Sequence, residues 1–160
     1  WASGAEGLPP VPAVVQLAVE GRAWVIDALG DEGARQALGQ LLRDLLEAEP
    51  WRIMLLGFAF AGDLAVLRPL TCPGAGSLCA RSLIDIQSLA RLPGEDTPSL
   101  KRVCARTLRR DLDKTHQCSD WARRPLLREQ FLYAALDAYI LLSMHDALAG
   151  GGAVDAPAQA

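Results

Sequence analysis

The stretch from Arg52 to Phe60, Arg-Ile-Met-Leu-Leu-Gly-Phe-Ala-Phe, constrains the fold more than any other, because after Arg52 nothing in it is charged or polar. A strand with one face in water alternates apolar and polar residues, whereas a strand of a parallel sheet covered on both faces reads as a continuous apolar run. Just before it, between Asp31 and Glu49, the residues Ala34, Leu38, Leu41, Leu42, Leu45 and Leu46 recur at intervals of three and four, and Pro50 follows. That is the period of an amphipathic helix and its stop signal. A helix feeding a buried strand is the repeating unit of α/β architecture.

The flanking segments agree. Gly4, Gly7, Pro9, Pro10 and Pro12 make residues 1 to 12 a loop, and Ala13 to Val19 and Arg22 to Asp27 read as strands joined by the turn Glu20-Gly21. Gly62-Asp63 starts a short helix, Cys72 to Ser77 is a loop, and Leu83-Ile84-Asp85-Ile86 is a short strand or the start of a helix. After a loop from Pro93 to Pro98, Ser99 is placed to cap a helix reaching Arg110. A polar stretch leads to a long helix from about Leu127 to Ala149, apolar on nearly all sides, and residues 150–160 are expected to be a disordered tail. The order predicts one α/β domain with an antiparallel edge and no internal repeats.

Composition narrows the function classes. With 51% hydrophobic and 22% charged residues the chain is globular in character, neither disordered nor fibrous. Charged residues interrupt the apolar runs at Leu41–Leu46 and Ile53–Phe60 short of a membrane span, so no membrane association is expected. Cys72, Cys79, Cys104 and Cys118 form no CxxC pair and lie away from His116 and His145 at zinc spacing. Free thiols, and an intracellular location in nucleus or cytoplasm, are the expectation. The chain starts at Trp1 with neither Met nor a signal peptide and is expected to be a fragment of something longer. Its net charge of −3 conceals a basic island: residues 101 to 128 carry nine Lys/Arg against three Asp/Glu. The island predicts either a local polyanion contact or merely a solvated basic face.

Chemistry enters at the last helix, where Tyr133 precedes Asp137 by four residues and both lie on one face. Asp137 has Ala134, Ile140 and Leu141 around it and no Lys or Arg on its own helix to neutralise it. Such a carboxylate needs a tertiary cation, either a basic side chain or a metal. A phenol beside a metal-binding carboxylate suits a held nucleophilic water; equally, Asp137 reads as a structural ion pair and Tyr133 as an interfacial ring. Asp63 follows the apolar run at a helix start, where a helix cap and a ligand site at a strand's carboxyl end are both natural.

The residues Ser119, Asp120, Trp121, Arg124, Pro125, Leu126, Gln130, Tyr133, Ala134, Ala135, Asp137 and Ala138 resemble the third motif of the DEDDy 3′-5′ exonucleases, the RNase D and Werner-type family. Leu112-Asp113-Lys114 is most similar to the Nibbler-type, Mut-seven-like branch, and Gly57 to Leu67 is similar to the second motif. Leu132 stands where the related DEDDh group has a His, while Tyr133 fits the DEDDy pattern. The resemblance implies an RNase H-like mixed sheet flanked by helices, acting on the 3′ ends of single-stranded RNA or DNA, with RNA slightly favoured. It implies two divalent metal ions, Mg²⁺ or Mn²⁺, held in part by Asp63 and Asp137, with Tyr133 orienting the attacking water. Lys114, Arg123 and Arg124 would meet phosphates, and Arg124 has an equal alternative as a structural ion pair. Trp121 is expected to pack beneath the loop.

Two departures qualify that resemblance. The family's first motif, D-x-E on the central first strand, has no match before Asp63, so residues 1–149 are expected to be an N-terminally incomplete exonuclease domain. Unpaired strand edges and an incomplete acid set would leave this stretch alone poorly stable and inactive. The alternative is a catalytically degenerate domain serving nucleic-acid binding or protein interaction, with protein partners unknown. Leu127 replaces the Ser or Thr that would complete a capping box with Gln130, a loss of about 1 kcal/mol.

Overall fold

The computed structural model describes residues 11–72 and 78–150. The expectations for most of the N-terminal loop, for the loop after Cys72 and for the C-terminal tail fall outside that range. Strands β1 (Val14–Val19) and β2 (Arg22–Asp27) pair antiparallel from Val14 opposite Asp27 to Val19 opposite Arg22. Gly21 makes the turn possible with a φ of 73°, a conformation that costs glycine nothing. Helix α1 (Glu32–Leu46) starts where Asp31 accepts the Ala34 N–H at 2.8 Å, and it buries Leu38, Leu42 and Leu46.

The buried run after Pro50 proves shorter as a strand than the sequence predicts. Only β3 (Leu55–Gly57) is extended, paired in parallel with β4 (Leu83–Asp85). Trp51 and Met54 are 80% and 52% exposed, and Phe60 already opens α2 (Phe60–Thr71). Apolar character marks which residues leave water but not which of them pair, so the strand and the helix start merge in the sequence. The chain continues through α3 (Ile86–Leu89), α4 (Leu100–Leu108), capped by Ser99, and α5 (Arg128–Ala149).

Among the described residues the strands form two separate two-stranded sheets, β1-β2 and β3-β4, where one mixed sheet is expected. Helix α5 packs against β1, β2 and β3 and against α3 and α4, which accounts for its buried Ala134, Ile140, Leu141 and Met144 but leaves Phe131, Leu132 and Leu136 exposed. By length and composition α5 alone would pass for a membrane span, with a mean hydropathy of 1.2, against the expectation that no segment does; here it is the central helix of the fold. One core cluster gathers Ile86, Val103, Cys104, Ile140 and Met144 beneath α5; the other gathers Val15, Leu38, Leu42 and Leu67 between the hairpin, α1 and α2. Each fully buried Ile or Met contributes about 1.5–3 kcal/mol through loss of water contact. Helices α1 and α2 approach so closely that a Cβ on Gly39 would lie 2.2 Å from the Leu70 carbonyl oxygen. All four cysteines are free thiols.

Candidate active site

One turn of α5 separates Tyr133 from Asp137, so the phenol and the carboxylate share one face of the helix and sit close enough to perturb each other's protonation. Together with Leu100, Leu112, Lys114 and Gln117 they line a cleft of about 60 Å³. His116 meets the Tyr133 ring edge-on, with centroids 6.4 Å apart, and Trp121 lies tilted beside it at 6.0 Å. The phenol is therefore boxed in on two sides by the loop that precedes its helix.

Gln130 and Arg124 hold that loop. The buried Gln130 side chain accepts the Leu127 N–H at 2.9 Å and donates to Ser119 Oγ and the Asp120 carbonyl, both at 2.9 Å. Half of a capping box survives in this way although Leu127 has no acceptor to offer. The Arg124 guanidinium spends all five of its N–H donors within the molecule. Two go to Asp27, at 2.7 and 2.5 Å, and the others to the carbonyls of Ala13, Trp121 and Arg123. Of the two readings left open for Arg124, this geometry fits the ion pair and leaves no N–H for a phosphate. The Arg124 hydrogen bonds hold the Asp27 carboxyl below its ordinary range.

Electrostatics single out the two acids. Burial pushes the Asp137 carboxyl above its usual range, while the Tyr133 hydrogen bond and the nearby Lys114 charge pull it back. Burial, then the Asp137 charge and hydrogen bond, drive the Tyr133 phenol far above its ordinary value. Asp63 is also raised, by burial and then by the charge of Asp85. Among the described residues neither Asp63 nor Asp137 has an ion-pair partner. Both carboxylates are half-buried, so part of their hydration is lost without an ion pair to replace it, and a bound cation would offset that cost. Their oxygen donors suit a hard divalent cation such as Mg²⁺. They form only part of a ligand set, however, since the described residues contain no group of three or more His, Cys, Asp or Glu placed to hold a metal.

Asp63 does not line the cleft with Asp137 and is not a helix cap; it lies in the first turn of α2. The residue at the cap position is Ala59, in the left-handed region at a φ of 54°, a conformation that costs a non-glycine residue about 1–2 kcal/mol. The capping comes instead from Asp85, at the end of the neighbouring strand, which accepts the N–H groups of Ala59 and Phe60 at 3.1 Å each. Asp85 escaped the sequence reading, although an Asp closing a strand before a helix was a signal it shared with Asp63. His116 was also missed, and no periodicity pointed to it.

The basic island is partly neutralised from within. Lys101 pairs with Asp111 at 3.0 Å, and Arg102 and Arg106 both pair with Glu95, at 3.1 and 2.8 Å. Lys114 and Arg123 remain exposed, and Lys114 lines the cleft while Arg123 does not.

Comparison with known proteins adds four likenesses. The family described as 3′-5′ exonuclease matches residues 9–150. The exonuclease mut-7 homolog of Homo sapiens is 37% identical over 159 residues, covering 87% of this chain but only 18% of that protein. The crystal structure of the Aedes aegypti Nibbler EXO domain superposes with a TM-score of 0.70 at 25% identity, over 92% of this chain and 73% of that one. Escherichia coli RNase D, an exoribonuclease involved in structured RNA processing, superposes with a TM-score of 0.67 at 28% identity, over 86% of this chain and 34% of its own.

Proposed function

Because the chain belongs to the 3′-5′ exonuclease family, with its RNase H-like α/β fold, we propose that residues 1–149 act as an intracellular exonuclease domain that removes nucleotides from the 3′ ends of single-stranded nucleic acid. RNA is the favoured substrate, in keeping with the likeness to RNase D and to Nibbler. The observation that carries this reading is the Tyr133–Asp137 pair in its cleft, with a half-buried carboxylate that lacks an ion-pair partner among the described residues beside the exposed Lys114.

Asp137 and Asp63 would hold two divalent cations, Mg²⁺ or Mn²⁺, which supply water activation and charge neutralisation at the phosphodiester. Raised by burial and by Asp137, the Tyr133 phenol keeps its proton at neutral pH. The protonated hydroxyl therefore serves as a hydrogen-bonding group that orients the attacking water and not as the base that deprotonates it. His116 and Trp121 confine the ring and so limit how far its hydroxyl can stray from Asp137. Lys114 and Arg123 offer positive charge to the phosphates of the incoming strand.

Replacing Asp137 by Asn in the intact protein should abolish Mg²⁺-dependent shortening of a 5′-labelled single-stranded RNA and leave binding of that RNA largely intact. Retained turnover would sink the role given to Asp137. A second reading, a degenerate binding module, draws on the incomplete ligand set among the described residues. An intact wild-type protein that binds the RNA but never shortens it decides for that reading.

A further inference from the structure

Asp85 lies outside every motif of the sequence, yet it is tied to the turn that carries Asp63. In the parallel pair it stands directly beside Gly57, two residues before Ala59 leaves β3 in its left-handed turn. One carboxylate oxygen accepts the Ala59 N–H and the other the Phe60 N–H, both at 3.1 Å, and the first also accepts the Gln87 N–H at 2.9 Å. A single side chain from β4 thus closes the start of α2 and of α3 together. Ala59 contributes no side-chain cap of its own, so beside the long Gly62 N–H to Ala59 carbonyl bond at 3.4 Å it is the Asp85 side chain that holds the start of α2. An amide in place of this carboxylate has one acceptor oxygen and would turn its NH₂ toward a backbone donor.

We propose that Asp85 is a positioning residue: through the Ala59–Phe60 turn it sets the first turn of α2 so that the Asp63 carboxylate meets a divalent cation. This rests on the reading that Asp63 helps to hold such a cation. A partner hydrogen-bonded to a metal ligand itself typically changes metal affinity by about 10- to 100-fold when lost, and Asp85, which acts through the backbone of the turn, is placed at the low end of that range.

The test is Mn²⁺ binding to the intact protein, followed by the loss of the free-ion EPR signal, with RNA hydrolysis measured separately. Asp85→Asn should weaken Mn²⁺ binding by about tenfold. Leu67→Ala, which loosens the buried side of α2 without touching its start, should lower thermal stability and leave Mn²⁺ affinity where it was. In an Asp63→Asn background, Asp85→Asn should cost no further affinity. If Asp85→Asn does not fold, adding Ala59→Gly relieves the left-handed turn and allows the same titration. Unchanged Mn²⁺ affinity in Asp85→Asn, an equal loss in Leu67→Ala, or an additive loss on top of Asp63→Asn would each overturn the proposal. A wild-type protein that binds no Mn²⁺ overturns it together with the metal reading of Asp63. Weakened Mn²⁺ binding in a protein that never hydrolyses RNA supports the positioning role and rejects the nuclease reading alone.

Discussion

Replacing Arg124 by Ala removes five hydrogen bonds at once, and their cost can be worked out bond by bond. The pair with Asp27 is partly solvated, with 31% and 50% of the two side chains exposed, so water competes and the pair contributes about 1 kcal/mol. The three carbonyl acceptors, Ala13, Trp121 and Arg123, add about 0.5 kcal/mol each at the low end of the usual net value. The expected loss is about 2–3 kcal/mol. Asp27→Ala loses the same pair and its bond to the Leu29 N–H, about 1–2 kcal/mol. Because both single changes break one shared pair, the double variant should cost about 1 kcal/mol less than their sum. Hydrogen–deuterium exchange in the intact protein reads this locally. Over residues 111–127 and the β1-β2 hairpin, Arg124→Ala should speed exchange roughly thirty- to hundredfold, at about 1.4 kcal/mol per factor of ten. Additive single effects, or exchange no faster in Arg124→Ala than in Asp27→Ala, would refute the five-bond account. Weaker RNA binding by Arg124→Ala with unchanged exchange would return the residue to the phosphates.

Two further expectations follow from other parts of the molecule. Asp63 and Asp137 are both raised by burial, so their stabilising contribution is fully present below about pH 4 and is lost as pH rises through their raised values toward neutrality. Without divalent ions, Asp137→Asn should therefore melt at a higher temperature than the wild type at pH 7, with the gap closing on acidification; equal melting at pH 7 contradicts the burial argument. Gly39→Ala gains about 1 kcal/mol of helix propensity but drives a Cβ into the Leu70 carbonyl. A net loss of about 1–3 kcal/mol from overpacking is expected, and an unchanged melting temperature would rule out so close a contact of α1 and α2.

What could be read from the sequence was whatever depended on near neighbours. Ser99 caps the helix that follows it, and the two strands flanking Glu20-Gly21 pair antiparallel, because a cap or a turn is a matter of three or four residues. The fold and family were legible in the order of residues from Ser119 to Ala138 and not in any one of them, since Tyr133 and Asp137 each have ordinary structural explanations. The extent of β3 was hidden, because pairing with β4 and the Asp85 contact at Ala59 come from residues about 25 positions away. Arg124 and Asp27 are 97 positions apart, so the choice between phosphate and ion pair could only be made in three dimensions. For the same reason Asp63, taken alone, read as a cap until Asp85 was seen to occupy that role.

The position of α5 bears on how such a domain is made. It is the last of the described elements to leave a ribosome, yet both strand pairs and two earlier helices rest on it. A nascent chain paused before Arg128 has its hairpin and its β3-β4 pair translated but no helix to join them, and their apolar faces must wait in water or with a chaperone. The same helix carries Tyr133 and Asp137, so the cleft comes into being in the final act of consolidation, and a prematurely terminated chain cannot display half of it.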